Sequence, residues 1–550
     1  MDSRRAVRSL PPWLQLNSRG RWQLLLAVLL LAQFWLRGAD SLGRESPVWD
    51  ERLHLGYGVA LLDRGPTFDA QDHPYPLAAL LALPTWAALA GPDRFSQLDL
   101  EDPRQLLPAR HVNLALATLA LAALAAWARR RQGPGFALAV LALAATDPQW
   151  LAVARYVTLD VGHAFGWWLA AWALAELRAR PTLRSPWVAL AAAGLALGLS
   201  AKFSALAIPL LALLILPRAR TVPALAAAAL TASGIALLGL LALGCELTFA
   251  HPATLAAPDV AAHHWLDGLW ASWAKRSHGA GAYLLGTWYQ HGTRLYLPLL
   301  LVAKSPLTQL TLAACGLLGL LRRGELRTRL RPETPWLALL LGYLLLASAS
   351  RQNLGQRHLA PGLPVLWWLG AQAWLRLRAW APPGRWVSPA LALGLAVESA
   401  MAHPHYLAWN NALFGGTAGA PAVAVDAAAD WGQALPTLAR YLAAEPSPSG
   451  RVDLAYFGNA DPQRFVGPVV ARPCGLLAFH PPRERPSAGC AAPADLLVVS
   501  ATCVHGGTGV IRDGRLRLDE RDPCWARLRE RRPDAVLAGS LLVFRGEGGH

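Results

Sequence analysis

The sequence predicts a polytopic α-helical membrane protein with a small extracytoplasmic α/β domain at its carboxy terminus. Three observations carry that prediction. Of 550 residues, 54% are hydrophobic and only 16% charged, against roughly 25% charged in soluble domains. The apolar residues form long runs instead of scattering. The formal net charge of +16 is concentrated in short arginine clusters between those runs: Arg4 to Arg21, Arg129 to Arg131, Arg178 to Arg184, Arg218 and Arg220, Arg322 to Arg331, and Arg376 to Arg385. Such spacing follows the positive-inside rule and not the basic face of a nucleic-acid binder, so nucleic acid is excluded as a partner.

The elements follow in order. The run Trp22 to Leu36 reads as an uncleaved first helix, because many spans follow it and the segment after it offers only a weak cleavage site. The loop from residue 38 to 110 carries eleven acidic against six basic residues and faces outward. Inside it, Pro76 to Ala90 is apolar but short of the roughly 20 residues a span needs, which predicts an interfacial or re-entrant helix. Further spans are expected at 112–128, 135–150, 161–177, 186–199, 203–217, 223–248, 295–320, 334–349, 359–375 and 386–402. About eleven crossings with the amino terminus inside place every arginine cluster in the cytoplasm. Residues 1–402 then form the membrane domain, and 403–550 the extracytoplasmic one. The excess of Ala, Leu, Gly and Arg, with lysine only at Lys202, Lys275 and Lys304, points to a GC-rich bacterial genome and hence to the bacterial cytoplasmic membrane.

After His403 short alternating runs between Pro- and Gly-rich turns predict the α/β domain. It holds Cys474, Cys490, Cys503 and Cys524, an even set that favours two disulfides over zinc, since no C-x-x-C spacing occurs. Three pairings stay open.

Charged residues at membrane depth or on outward loops are the candidates for chemistry. Asp50-Glu51 lies just past the first span; Asp50 reads either as the cap of a helix over Arg52–Leu62 or as a general base. Asp72 and His73 end the same loop in a Pro-rich turn. Asp160 sits at the outer mouth of a span, as a helix cap or as part of a polar site. Lys202 and Lys304 lie at outer membrane edges, where an ammonium either snorkels or holds a lipid phosphate. Arg351, Arg357 and His358 form a basic outward loop suited to an anion. Histidines 263, 264, 278 and 291 share a loop with Trp and Tyr; an aromatic belt explains them more simply than zinc. The Asp50-Glu51 pair alone is thin support for a divalent cation, and no other cofactor is implied.

These segments, in order, are D-E-R-L-H-L-G-Y-G, D-H-P-Y-P-L, A-R-Y-V-T-L-D, L-S-A-K-F-S-A-L, G-A-Y-L-L-G-T-W-Y-Q-H-G, Y-L-P-L-L-L-V-A-K-S-P-L, N-L-G-Q-R-H-L-A-P and D-A-A-A-D-W-G-Q-A-L. In that order and loop placement, the whole chain resembles bacterial members of the dolichyl-phosphate-mannose-protein mannosyltransferase family, glycosyltransferases of the GT-C architecture. Aminoarabinose transferases to lipid A are more distant relatives in the same resemblance. It implies transfer of a sugar from a polyprenyl-phosphate donor to a hydroxyl or amine of a protein, lipid or envelope glycan at the outer membrane surface. Asp50 matches the family's catalytic base, with Glu51 beside it, and Asp160 its second aspartate. Lys304, Arg357, Lys202 and His358 fit the donor phosphate; Asp72, His73 and Arg351 fit the acceptor loops. Two departures stand out: His358 where relatives often have Tyr, and no Ser-Asn before Asp430-Trp431-Gly432-Gln433. The other reading is a lipid or sugar transporter, which paired repeats and broken mid-membrane helices would favour; neither pattern is evident in the sequence.

Overall fold

In the computed structural model the chain is dominated by helices, followed by a mixed sheet. The structure describes residues 18–64, 76–91, 93–177, 183–215, 280–322, 334–379, 384–472, 474, 495–506, 508–512, 515–520 and 525–546, with short helical pieces within 226–272. Asp72 and His73, the expected span at 223–248 apart from those pieces, histidines 263, 264 and 278, and Cys490 and Cys524 lie outside them.

Apolar runs become helices much where the sequence places them. Helix α1 (Ser18–Leu42) turns Trp22, Leu25, Val28 and Leu29 outward, a contiguous apolar face suited to lipid. The acidic loop then folds into α2 (Trp49–Arg64) and α3 (Pro76–Ala88). These two helices touch backbone to backbone at Gly58, where an added Cβ would come 2.2 Å from the Ala78 carbonyl oxygen. Helix α4 (Pro103–Gln132) starts at an Asp102 cap and Pro103, and ends in Arg129, Arg130 and Arg131 at Gly133; both ends obey capping chemistry.

Helices α5 (Pro134–Ala145) and α6 (Pro148–Ala154) meet at 65°. The break is organised by buried Asp147, which caps α6 and accepts hydrogen bonds from Gln309 Nε2 (3.0 Å) and Trp367 Nε1 (2.8 Å). Helices α7 (Asp160–Leu177) and α8 (Pro186–Leu199) pack through glycines. A Cβ at Gly166 would lie 2.4 Å from the Gly198 nitrogen, and one at Gly194 2.5 Å from the Ala170 nitrogen. Small residues at a helix crossing permit this approach, and it fixes the start of α7 beside the end of α8. A short helix, α9 (Ala207–Ile215), follows.

The expected continuous span at 295–320 is corrected. Helix α10 (Tyr296–Lys304) and helix α11 (Leu307–Arg322) are bent by 112°. Pro306 breaks the run, and the first amides of α11, Leu307 and Thr308, donate to the Glu398 carboxylate (2.6 and 3.1 Å). Helices α12 (Thr334–Ala349), α13 (Leu363–Arg378) and α14 (Gly384–Met401) complete the set; Glu398 is on α14. Among the described residues two helices, α1 and α4, are long and apolar enough to cross a membrane, and up to four spans result if each bent pair counts as one.

After a hairpin of β1 (Ala282–Leu284) and β2 (Thr287–Tyr289) and beyond α14 lie a five-stranded sheet in the order β4 (Val470–Ala471), β3 (Asp453–Ala455), β5 (Leu496–Ser500), β9 (Leu541–Arg545), β8 (Ala535–Leu537), and a two-stranded pair, β6 (Thr508–Arg512) and β7 (Arg515–Glu520). Strand β5 pairs parallel to β3 and antiparallel to β9, with Val498 opposite Leu454 and Val543. Helix α15 (Leu435–Ala444) buries Leu435 and Leu438 against Val498 and Val543. Among the described residues one disulfide, Cys474–Cys503, is present.

Candidate active site

Asp50 and Glu51 are adjacent in sequence and diverge in space. Both lie in the first turn of α2. Glu51 is fully buried and reaches back to accept from its own helix's leading amide, Val48 N (3.0 Å), as a third-position Glu does in a capping box. It also forms a two-point pair with Arg110 of α4 (2.8 and 2.6 Å) and accepts from Val157 N (2.9 Å). Arg110 spends its remaining donors on the carbonyls of Leu42 (2.5 Å), Glu45 and Ser46 (both 3.1 Å). The Glu51 carboxylate, expected beside Asp50 in the catalytic pair, thus has all four lone-pair positions taken by these donors and braces the loop.

Asp50, one residue earlier, projects from the other side of the turn. Its side chain is 23% exposed and pairs with Arg357, with His54 Nε2 at 3.8 Å. Arg357 is the second residue of the 3-10 turn Gln356–Gly362. Its Nε donates to Leu354 O (3.0 Å), and its guanidinium lies 4.6 Å over the Trp431 ring. Burial alone would lower the Arg357 pKa, but Asp50 and Asp160 hold it above the ordinary guanidinium value.

A second pair stands beside the first. Asp160, 3% exposed at the start of α7, is bonded to Lys202, just past the end of α8; the glycine-lined α7–α8 contact places them together. Arg357 and His358 both act electrostatically on Asp160, and Asp50 and Arg357 on Lys202. Two carboxylates and two cations thus interleave, drawn from α2, the α6–α7 junction, the α8 exit and the 356–362 turn. Two and three residues on from these partners, Ser204 Oγ and His163 Nε2 lie 3.2 Å apart.

Two expected members lie elsewhere. Lys304, 2% exposed, donates to the carbonyls of Leu407 (2.8 Å) and Trp409 (3.2 Å). Just before the bend that ends α10, it lies under the 403–411 segment. Arg351 borders an open cavity of about 510 Å³ with Tyr289, His291 and Arg294, next to the hairpin of β1 (Ala282–Leu284) and β2 (Thr287–Tyr289).

The sequence motifs also held a component whose role was not assigned. In D-A-A-A-D-W-G-Q, Asp426 acts electrostatically on Arg357. Its φ of +56° is a left-handed conformation that Asp tolerates better than most residues, and the Asp426 N–H donates to Thr502 Oγ1 (2.9 Å). Burial, first of its causes, pushes the Asp426 carboxyl up to about 6, with Arg357 pulling the other way. Asp430 is likewise raised to about 6 by burial, against hydrogen bonds led by that from Ser540. A motif Asp held near a Trp and an Arg was the available signal.

No protein-family model matches the sequence, and no curated protein matches it. Among solved structures the chain is similar to ArnT from Cupriavidus metallidurans bound to undecaprenyl phosphate, at 14% identity and TM-score 0.47, over 91% of this chain and 98% of that one. The same protein in the apo state gives 16% identity and TM-score 0.46 over 71% and 67%. The archaeal oligosaccharyltransferase AglB from Archaeoglobus fulgidus, in complex with an inhibitory peptide and a dolichol-phosphate, gives 14% and 0.43 over 88% and 70%.

Proposed function

We propose that this chain is a glycosyltransferase of the bacterial cytoplasmic membrane, moving a sugar from a polyprenyl-phosphate donor to an acceptor hydroxyl or amine on the outer face. The observation that carries the reading is the side-by-side placement of two carboxylate–cation pairs, Asp50–Arg357 and Asp160–Lys202, among apolar helices. Transfer with inversion needs one base near the acceptor and fixed positive charge near the leaving phosphate. Asp50, the more exposed carboxylate, is the base. The acceptor oxygen or nitrogen bonds to the anomeric carbon as its proton passes to Asp50. The anomeric carbon–oxygen bond breaks, and the phosphate oxygen keeps the electron pair. Arg357 and Lys202 meet the charge that develops there, with His358 at the margin. Asp160 holds Lys202 and faces the sugar. Residues 403–550 form the extracytoplasmic domain of the same reading, and Arg351 borders the acceptor's approach.

The test is transfer from a polyprenyl-phosphate sugar by the purified protein and by D50N. A folded D50N with undiminished transfer sinks the assignment of the base. Loss of transfer with donor binding retained is the expected result.

A further inference from the structure

Strands β3 and β5 run parallel, so their carboxyl ends, Ala455 and Ser500, share one edge of the sheet. In open α/β sheets that edge is where ligands bind. Here the chain's own strip, residues 426–433, lies against it. Buried Asp430 accepts from Thr502 N (2.9 Å) and Ser540 Oγ (2.5 Å), and Tyr456 Oη donates to Gly432 O. Gly432, at φ +90°, lies so close to Gly458 that an added Cβ would come 2.9 Å from the Gly458 Cα. The sheet therefore holds Trp431 from both sides in sequence, at Asp430 and at Gly432.

Trp431 in turn meets both members of the Asp50–Arg357 pair. Its carbonyl accepts from the N–H of Trp49 (3.2 Å), the residue before Asp50, and Asn459 Nδ2 donates to Trp49 O (3.0 Å). Its ring lies 4.6 Å from the Arg357 guanidinium. That guanidinium is held at three places: Nε donates to Leu354 O (3.0 Å), Nη1 donates to Asp50, and one face rests on the ring. Nη2 has no hydrogen-bond partner among the described residues.

We infer that Trp431 is a positioning residue for the donor phosphate: its ring fixes the plane of the Arg357 guanidinium so that Nη2, the donor left over, meets a phosphate oxygen of the polyprenyl lipid. The inference rests on the proposed donor chemistry. Trp431 touches no reacting atom and works through Arg357. The donors of a guanidinium lie in one rigid plane, so fixing the plane fixes the direction of every N–H. An aromatic face within about 6 Å supplies that constraint. Without the ring, Arg357 keeps a donor on Asp50 but its plane can swing, and the ordering of Nη2 then falls to lipid binding, at a cost in affinity. The carboxy-terminal domain thereby reaches the site through one side chain.

The experiment measures binding of undecaprenyl phosphate to the full-length protein in nanodiscs, for wild type, R357Q, W431F, W431L, N459A and the double variant R357Q/W431L. R357Q is expected to weaken binding about ten-fold or more, and W431L about three- to ten-fold. W431F is expected within about two-fold of wild type, since Phe keeps a ring face. N459A loosens Trp49 and leaves the ring in place, so it too should bind within about two-fold of wild type. In the R357Q background W431L should add no further loss, because the ring then has no guanidinium to aim; a purely structural role would give the same loss in both backgrounds. If R357Q binds as wild type does, the donor-phosphate reading itself fails. If R357Q loses binding while W431L binds as wild type does, or weakens binding equally in both backgrounds, this inference alone fails. It fails equally if N459A weakens binding as much as W431L. Where W431L does not fold, W431M takes its place in the same cycle, with the same expected outcomes.

Discussion

Asp50 and Glu51 are neighbours with opposite fates, and the contrast separates scaffold from chemistry. Glu51 sits in a closed network with Arg110, itself 1% exposed, where each polar atom is matched by another. Asp50 sits in an open one, 23% exposed, sharing Arg357 with other carboxylates. A closed buried pair gives rigidity and little else, because neither charge can move to a new partner without leaving the other bare. An open cluster with more than one arrangement of partners can take a proton or a phosphate. The closed network here is the brace of the open one: it ties residues 42–51 and Val157 to Arg110, and so holds Asp50 and, three residues beyond Val157, Asp160 in register.

The largest effects come from swapping the two fates. D50N should lower transfer by about 10²- to 10⁴-fold, the range expected for a lost general base, with thermal stability unchanged. E51Q should do the reverse: it leaves Arg110 buried without its countercharge, a loss of about 3–5 kcal/mol, read as a collapse in the yield or melting temperature of purified protein. If D50N destabilises as much as E51Q does, the contrast between open and closed networks is wrong. R110K belongs with E51Q, since an ammonium cannot reproduce a two-point pair plus three backbone carbonyl contacts.

A smaller effect is expected at Gly355. Its φ is +86°, and an added Cβ would press on the Ala427 carbonyl. G355A must therefore shift the turn that carries Arg357 away from the strip that carries Trp431. The expected outcome is weaker undecaprenyl phosphate binding, about ten-fold, with a stability loss of only about 1–3 kcal/mol from the strained glycine position. Equal binding by G355A and wild type would show that the turn need not be docked for Arg357 to work.

The apolar helices were legible because composition and run length alone dictate them. The break at Ser305-Pro306 was visible in the sequence, but the apolar residues on both sides bridged it; what turns two helices by 112° is Glu398 on α14, distant in the chain. Asp50, Asp160, Lys202 and Arg357 stood out as charges in loops at the edge of apolar runs. Their pairing did not: Asp50 and Arg357 are 307 residues apart, and no local pattern encodes that contact. Glu51 looked as available as Asp50, since the burial that disqualifies it comes from Arg110, 59 residues on. Trp431 belongs to a motif, D-A-A-A-D-W-G-Q, whose meaning lies in what it packs against, the Arg357 guanidinium 74 residues earlier.

The last prediction concerns a second buried ion-pair network, around Glu45 and Arg155. Glu45 is buried, pairs with Arg155 (2.9 Å), accepts from Tyr156 Oη (2.6 Å) and faces His405 (3.5 Å). Burial would raise its carboxyl, but Arg155, His405 and Tyr156 together hold it at about 2. A carboxylate with a folded pKa below its unfolded value of about 4.3 stabilises the fold above that value and loses the contribution as pH falls toward 2. Wild-type melting temperature should therefore decline across that acid window. E45Q, already less stable at neutral pH, should decline less steeply there because it has no such proton to take up.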